Sequence, residues 1–144
     1  METSNNKQVG VWMDYSQAYF IEYDGINAVI VEAIKAPYES RLREKGETDD
    51  KTRFSSNPRH SSPNEYSKQN IEREELKGYF KILENKLVAY RDILLFGPGT
   101  ARDQFFNQIS ENNFLEGKRI TVQISDKLTE NQMVAFVEDY FETK

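Results

Sequence analysis

The stretch Ile93-Leu94-Leu95-Phe96-Gly97-Pro98-Gly99-Thr100 constrains this chain more than any other. A short apolar run stops abruptly at Gly-Pro-Gly, and a residue able to cap a helix follows. Ala101-Arg102-Asp103-Gln104-Phe105-Phe106 comes next, with Phe105 and then Ile109 at helical spacing behind Ala101. The pattern predicts a buried strand, a tight turn, and a helix from about Thr100 to Ser110. A strand that passes straight into a helix is a unit of α/β folds. It turns backbone N–H groups and a helix N-terminus toward one edge of a sheet, where such folds often bind ligands or partners.

Upstream, Val9-Gly10-Val11-Trp12-Met13-Asp14 predicts a first strand, Gln17 to Tyr23 a second and Ile26 to Ile34 a third. Only Tyr15-Ser16 and Asp24-Gly25 separate them. Connections this short permit antiparallel neighbours alone, because a parallel pair needs a crossover. Cross-strand packing is expected to bring Trp12, Tyr19 and Tyr23 onto an aromatic face.

Residues 35–66 break the pattern. They are rich in Glu, Arg, Lys, Ser, Asn and Pro, with isolated large apolar residues at Tyr38, Leu42 and Phe54. A connection of that length is either functional or disordered, so the expectation is a solvated insertion loop, with a partner-binding arm as the alternative. From near Ser67 the periodicity returns. Leu76, Tyr79, Phe80, Leu83, Leu87 and Tyr90 predict the longest helix, with Glu74, Glu75, Lys77, Lys81, Glu84 and Lys86 mostly toward water.

Beyond Ser110, Gly117 precedes a fifth strand, Lys118 to Ile124. Thr129-Glu130-Asn131-Gln132 has the capping-box pattern and opens a last helix with Met133, Phe136, Val137, Tyr140 and Phe141 on one face. The order β-β-β-α-β-α-β-α predicts an α/β fold, a mixed five-stranded sheet covered by helices, with right-handed crossovers. The expected organisation is a flexible N-terminus, 1–8, and one domain, 9–144, carrying the insertion loop 35–66 between strand three and the first helix.

A chain of 144 residues can bury a core without covalent staples. It contains no cysteine, which excludes disulfides, thiolate metal sites and a cysteine nucleophile. A net charge of -5 argues against a wide nucleic-acid-binding surface without forbidding a local basic one. No apolar run approaches membrane-spanning length and Met1 to Gln8 is polar, so a cytoplasmic location without a membrane partner is expected.

Gly97-Pro98-Gly99 lacks the third glycine of a dinucleotide fingerprint and the Gly-Lys-Ser/Thr ending of a P-loop. Arg102, in the first helical turn, could still hold an anion beside the free N–H groups, or simply be solvated. Asp14 lies on the first strand, where RNase H-like nucleases carry a metal-binding carboxylate. Two-metal chemistry needs several carboxylates converging on ions about 3.5–4 Å apart, and Glu75, Asp92 and Asp103 are the candidates to join it. The competing expectation is that Asp14 closes its strand and accepts turn hydrogen bonds with Ser16. His60 is the only histidine, so a metal site built on it would need carboxylates for its other ligands. No metal site and no cofactor are expected. Arg41, Arg43, Lys45, Lys51, Arg53 and Arg59 scatter positive charge along the loop, offset by Glu44, Glu47, Asp49 and Asp50. This is the composition of an unspecific RNA-facing arm.

The opening Val9 to Asp14 with Gln17-Ala18-Tyr19-Phe20, the loop feeding a long helix, and Ile93 to Phe105 together resemble the central domain of archaeal and eukaryotic peptide-chain release factors and of their mRNA-surveillance relative Pelota. The resemblance covers most of Val9 to Phe141 and implies an RNase H-like, three-layer domain without nuclease activity. In release factors the long loop carries Gly-Gly-Gln, whose Gln positions water to hydrolyse peptidyl-tRNA. Here the matching region, Phe54 to Pro63, has no such motif, and Gln69 follows Ser67-Lys68 instead of glycines. The family's other member also lacks it and acts on ribosomes as a binding factor. The resemblance therefore implies a non-catalytic ribosome- or translation-associated binding domain, its partner the ribosome, ribosomal RNA, tRNA or a translation protein. Its expected contact residues are Arg41, Arg43, Arg53, Arg59, His60, Gly97, Gly99 and Arg102. The alternatives are a divergent metal-dependent nuclease or hydrolase using Asp14 with Glu75 or Asp103, and a protein-interaction domain without RNA contact.

Overall fold

In the computed structural model, residues 7–39, 71–111 and 116–143 are described. They form β1 (Gln8–Met13), β2 (Gln17–Tyr23), β3 (Ala28–Lys35), α1 (Arg73–Lys86), β4 (Asp92–Gly97), α2 (Ala101–Glu111), β5 (Arg119–Ile124) and α3 (Glu130–Glu142). The five strands make one sheet in the order β3-β2-β1-β4-β5. The first three pair antiparallel, as their short links require, while β1–β4 and β4–β5 pair parallel. This is the mixed sheet and element order of an RNase H-like three-layer domain, as expected.

The period-two alternation of β1 and β4 feeds two cores. Val9, Val11 and Met13, with Ile93 and Leu95, meet α1 and α2 on one face through Tyr79, Phe80, Leu83, Phe105 and Ile109. Trp12, Leu94 and Phe96 meet α3 on the other, through Met133, Val137 and Phe141. Covered on both faces, the central strands must be apolar throughout, which is why they read as unbroken hydrophobic runs. Each fully buried Leu, Ile or Phe contributes about 1.5–3 kcal/mol of transfer free energy. The expected aromatic face lies on the α3 side: Trp12 and Tyr19 meet edge-on with centroids 6.0 Å apart, and Tyr23 stacks on Phe141 at 5.4 Å.

Several boundaries shift from the sequence reading. β1 begins at Gln8, β3 at Ala28, and α1 ends at Lys86. Leu87 and Tyr90 therefore follow the helix, yet both stay buried because the chain turns back toward the sheet. Glu84 is corrected from the wet side to the interior, at 6% exposure. It shares the stripe of Phe80, Leu83 and Leu87, and Lys81 lies 3.9 Å from its carboxylate. In α3 the capping box forms as predicted, with Gln132 N–H donating to Thr129 Oγ1 and Thr129 N–H to Gln132 Oε1.

Candidate functional site

The carboxyl ends of β1 and β4, with the start of α2, form the sheet edge singled out by the Gly-Pro-Gly turn. Gly97 has φ of 146° and Gly99 of 69°, both in the region that glycine alone enters freely. Gly97 also lies against the carbonyl of Met13, in the space a Cβ would occupy. The turn can thus press directly on the end of β1.

The polar groups at this edge bind chiefly to one another. Asp14 is 5% exposed, and its Oδ1 accepts from Ser16 N–H at 2.9 Å, Ser16 Oγ at 3.0 Å and Gln17 N–H at 3.0 Å. Tyr79 Oη donates to the Asp14 carbonyl at 3.0 Å, and Tyr38 Oη donates to the Tyr15 carbonyl at 2.7 Å. The Tyr15 hydroxyl shares a 2.7 Å hydrogen bond with Thr100 Oγ1, tying the β1–β2 turn to α2. Burial pushes the Tyr15 hydroxyl upward in pKa, the Thr100 bond pulls it back, and the Asp103 charge raises it further.

Arg102 departs from both sequence expectations. It is 4% exposed, and its Nη1 donates inward to the carbonyls of Gly97, at 3.1 Å, and Gly99. The Gly97 carbonyl also accepts from Ser125 N–H at 3.2 Å. The guanidinium is thus neither solvated nor turned outward toward an anion. The physical cause is the turn itself, which aims two carbonyls back at the first helical turn, where a buried cation with several donors satisfies them.

The three carboxylates of the nuclease alternative have separate local roles. Asp14 holds its turn, Glu75 Oε1 accepts the N–H of Glu72 at the head of α1 at 3.1 Å, and Asp103 lies exposed on α2, 3.8 Å from Arg102. Asp92, the other candidate, accepts from Gln8 Nε2 at the opposite end of β4. Among the described residues, no three Asp, Glu or His side chains come together as a possible metal site. Gly99 and Thr100 are exposed beside the turn. Arg41, Arg43, Arg53, Arg59 and His60 lie outside the described residues.

A second feature lies at the opposite end of the strands. At the amino ends of β1, β4 and β5, Gln8, Arg91, Asp92, Gly117, Lys118 and Arg119 line a depression of about 600 Å³. The available signal was a charged residue at the start of each of two successive parallel strands, since neighbouring starts converge in space.

No protein-family model matches the chain, and no curated protein sequence matches it either. Its fold does match solved structures. The Pelota protein of Thermoplasma acidophilum overlays with a TM-score of 0.55 at 16% identity, covering 100% of this chain and 34% of that one. The chain shares its fold with that part of Pelota. Pelota of Archaeoglobus fulgidus gives a TM-score of 0.50 at 11% identity, covering 99% of this chain and 35% of that one. The archaeal translation termination factor aRF1 gives 0.45 at 14% identity, over 96% and 40%. The chain thus spans about a third of the length of the Pelota chains it matches. The fold implied by the resemblance to release-factor and Pelota central domains is the fold found. Among the described residues, no helix is long and apolar enough to cross a membrane.

Proposed function

We propose that this chain is a non-catalytic, cytoplasmic binding domain that works with the ribosome or another part of the translation apparatus. The observation that carries the reading is the agreement between the sequence motifs and the fold. The motifs Val9 to Asp14 and Ile93 to Phe105 resemble the release-factor and Pelota family, and the fold overlays on Pelota across the whole chain. The absence of Gly-Gly-Gln from Phe54 to Pro63 favours binding over peptide release.

In this reading the contact surface is the segment 35–66, with Arg41, Arg43, Arg53, Arg59 and His60, together with the exposed rim of the turn at Gly99 and Thr100. Support comes from how the segment begins. Ala36 N–H donates to the Ser16 carbonyl at 2.9 Å and Tyr38 Oη to that of Tyr15, so the chain leaves β3 at the edge that carries the Gly-Pro-Gly turn. Arg102 serves in this reading as the internal brace of that edge.

The test is co-sedimentation with purified ribosomes across a salt series. Association that weakens as salt rises is expected, because phosphate contacts release counterions. Absence of association at the lowest salt would overturn the reading and favour a protein-interaction domain without RNA contact.

A further inference from the structure

The depression at the amino ends of the strands is built from adjacent parallel strands and lies across the sheet from the Gly-Pro-Gly turn, about 17 Å away along strands of this length. Arg91 and Arg119 are joined through the backbone, Arg119 N–H donating to the Arg91 carbonyl at 2.8 Å. Both side chains are exposed, and neither forms a salt bridge among the described residues.

Lys118 brings a third positive charge, fixed in place. Its Nζ donates to the carbonyls of Val88 at 2.9 Å and Tyr90 at 2.6 Å. Burial lowers its pKa, and the charge of Arg91 lowers it further, so the two cations feel one another. An anion lodged between them would relieve that repulsion. The depression also holds one acid: Asp92 is half-buried, and its Oδ2 accepts from Gln8 Nε2 at 3.2 Å. The lining thus carries three cations against one carboxylate in a chain whose net charge is -5.

We propose that this depression binds ribonucleotide phosphate, with the guanidinium groups of Arg91 and Arg119 gripping phosphate oxygens and Asp92 and Gln8 facing sugar hydroxyl or base amino groups. Guanidinium forks match phosphate oxygens in pairs, whereas a carboxylate and an amide suit hydroxyl and amine donors. A volume of about 600 Å³ is of the size that holds a single small ligand. The ligand is one nucleotide unit, free or within an RNA strand. The site does not depend on the ribosome reading, since it uses the other edge of the sheet.

The experiment uses the full chain and two probes. Adenosine monophosphate is titrated by amide chemical shift, and a short fluorescent single-stranded RNA by anisotropy at about 50 and about 200 mM salt. R91E/R119E is compared with K77E/K127E, which makes the same charge change at exposed sites elsewhere. Thermal unfolding checks that each variant folds.

Wild type is expected to bind RNA with R91E/R119E at least about tenfold weaker, the control within about threefold, and the salt slope lower by about 1.4 for two lost phosphate contacts. Shifts with the monophosphate at Gln8, Asp92 and Lys118 to Ile120 would identify a free nucleotide as a ligand. Binding of RNA alone, with the same variant pattern, would identify a strand. Equal weakening in both variants, or no binding of either probe, would overturn the proposal. Failure of ribosome co-sedimentation would leave this result standing.

Discussion

Gly97 and the carbonyl oxygen of Met13 are packed so closely that a Cβ on Gly97 would stand well under 3.0 Å from that oxygen. The contact joins the ends of β1 and β4 where the chain swings into α2. It also explains why the turn begins with glycine, since φ there is 146°.

Gly97→Ala is therefore expected to destabilise the fold by about 3 kcal/mol or more, from the steric clash and the backbone strain together. Urea unfolding followed by tryptophan fluorescence measures it through Trp12. A loss under about 0.5 kcal/mol would mean that the β1–β4 edge relaxes freely.

A second close approach lies on the other face. A Cβ on Gly10 would meet Cγ2 of Val137, so α3 rests directly on the backbone of β1. Gly10→Ala is expected to cost about 1–3 kcal/mol through overpacking. Val137→Ala alone also destabilises, by leaving a cavity. In the double variant the new methyl partly fills that space, so the two losses should sum to more than the measured one. Strict additivity would show that the helix shifts away instead.

Arg102 braces the Gly-Pro-Gly turn from inside. Arg102→Ala leaves the Gly99 carbonyl without its charged donor and removes packing from a buried position, with an expected cost of about 2–3 kcal/mol. Arg102→Lys should recover only part, because an ammonium lacks the planar fork. Amide exchange from Gly99 to Asp103 should quicken in both. Ribosome association by folded Arg102→Lys should match wild type. A drop in association with unchanged stability would make Arg102 a contact residue after all.

The element order was legible because its signals are local. Gly-Pro-Gly, Asp24-Gly25 and Thr129 to Gln132 each act through a few neighbouring residues, and the apolar runs of β1 and β4 report burial on two faces. The inward direction of Arg102 was not legible. It depends on the unusual φ of Gly97, which turns the carbonyl partners back toward the helix, and single-letter sequence does not carry that angle. Glu84 reads as a surface residue from its charge alone, although its position on the stripe of Phe80, Leu83 and Leu87 buries it. Arg91 and Arg119 carry no joint local signal in the sequence, because they become neighbours only when β4 and β5 pair in parallel register, Asp92 against Arg119. The loop cations Arg41, Arg43, Arg53 and Arg59 lie outside the described residues.

The buried tyrosines predict the alkaline behaviour of the fold. Tyr79 is fully buried and donates to the Asp14 carbonyl. Burial first, then the charges of Asp14 and Tyr38, raise its pKa well above 10.0. Tyr90 is raised in the same direction by burial and by Glu22, to whose carboxylate it donates at 2.5 Å. An unfolded chain releases these protons near pH 10, whereas the folded chain holds them. The stability tied to the neutral phenols is thus fully present below about pH 10 and is lost as pH rises toward the folded-state values. Unfolding free energies in urea from about pH 8 to about pH 11 should fall steeply at the alkaline end for wild type. Tyr79→Phe should be less stable at about pH 8, by about 1 kcal/mol for the lost hydrogen bond, and should fall less steeply above pH 10. Parallel curves for the two proteins would remove Tyr79 from the groups that set the alkaline limit.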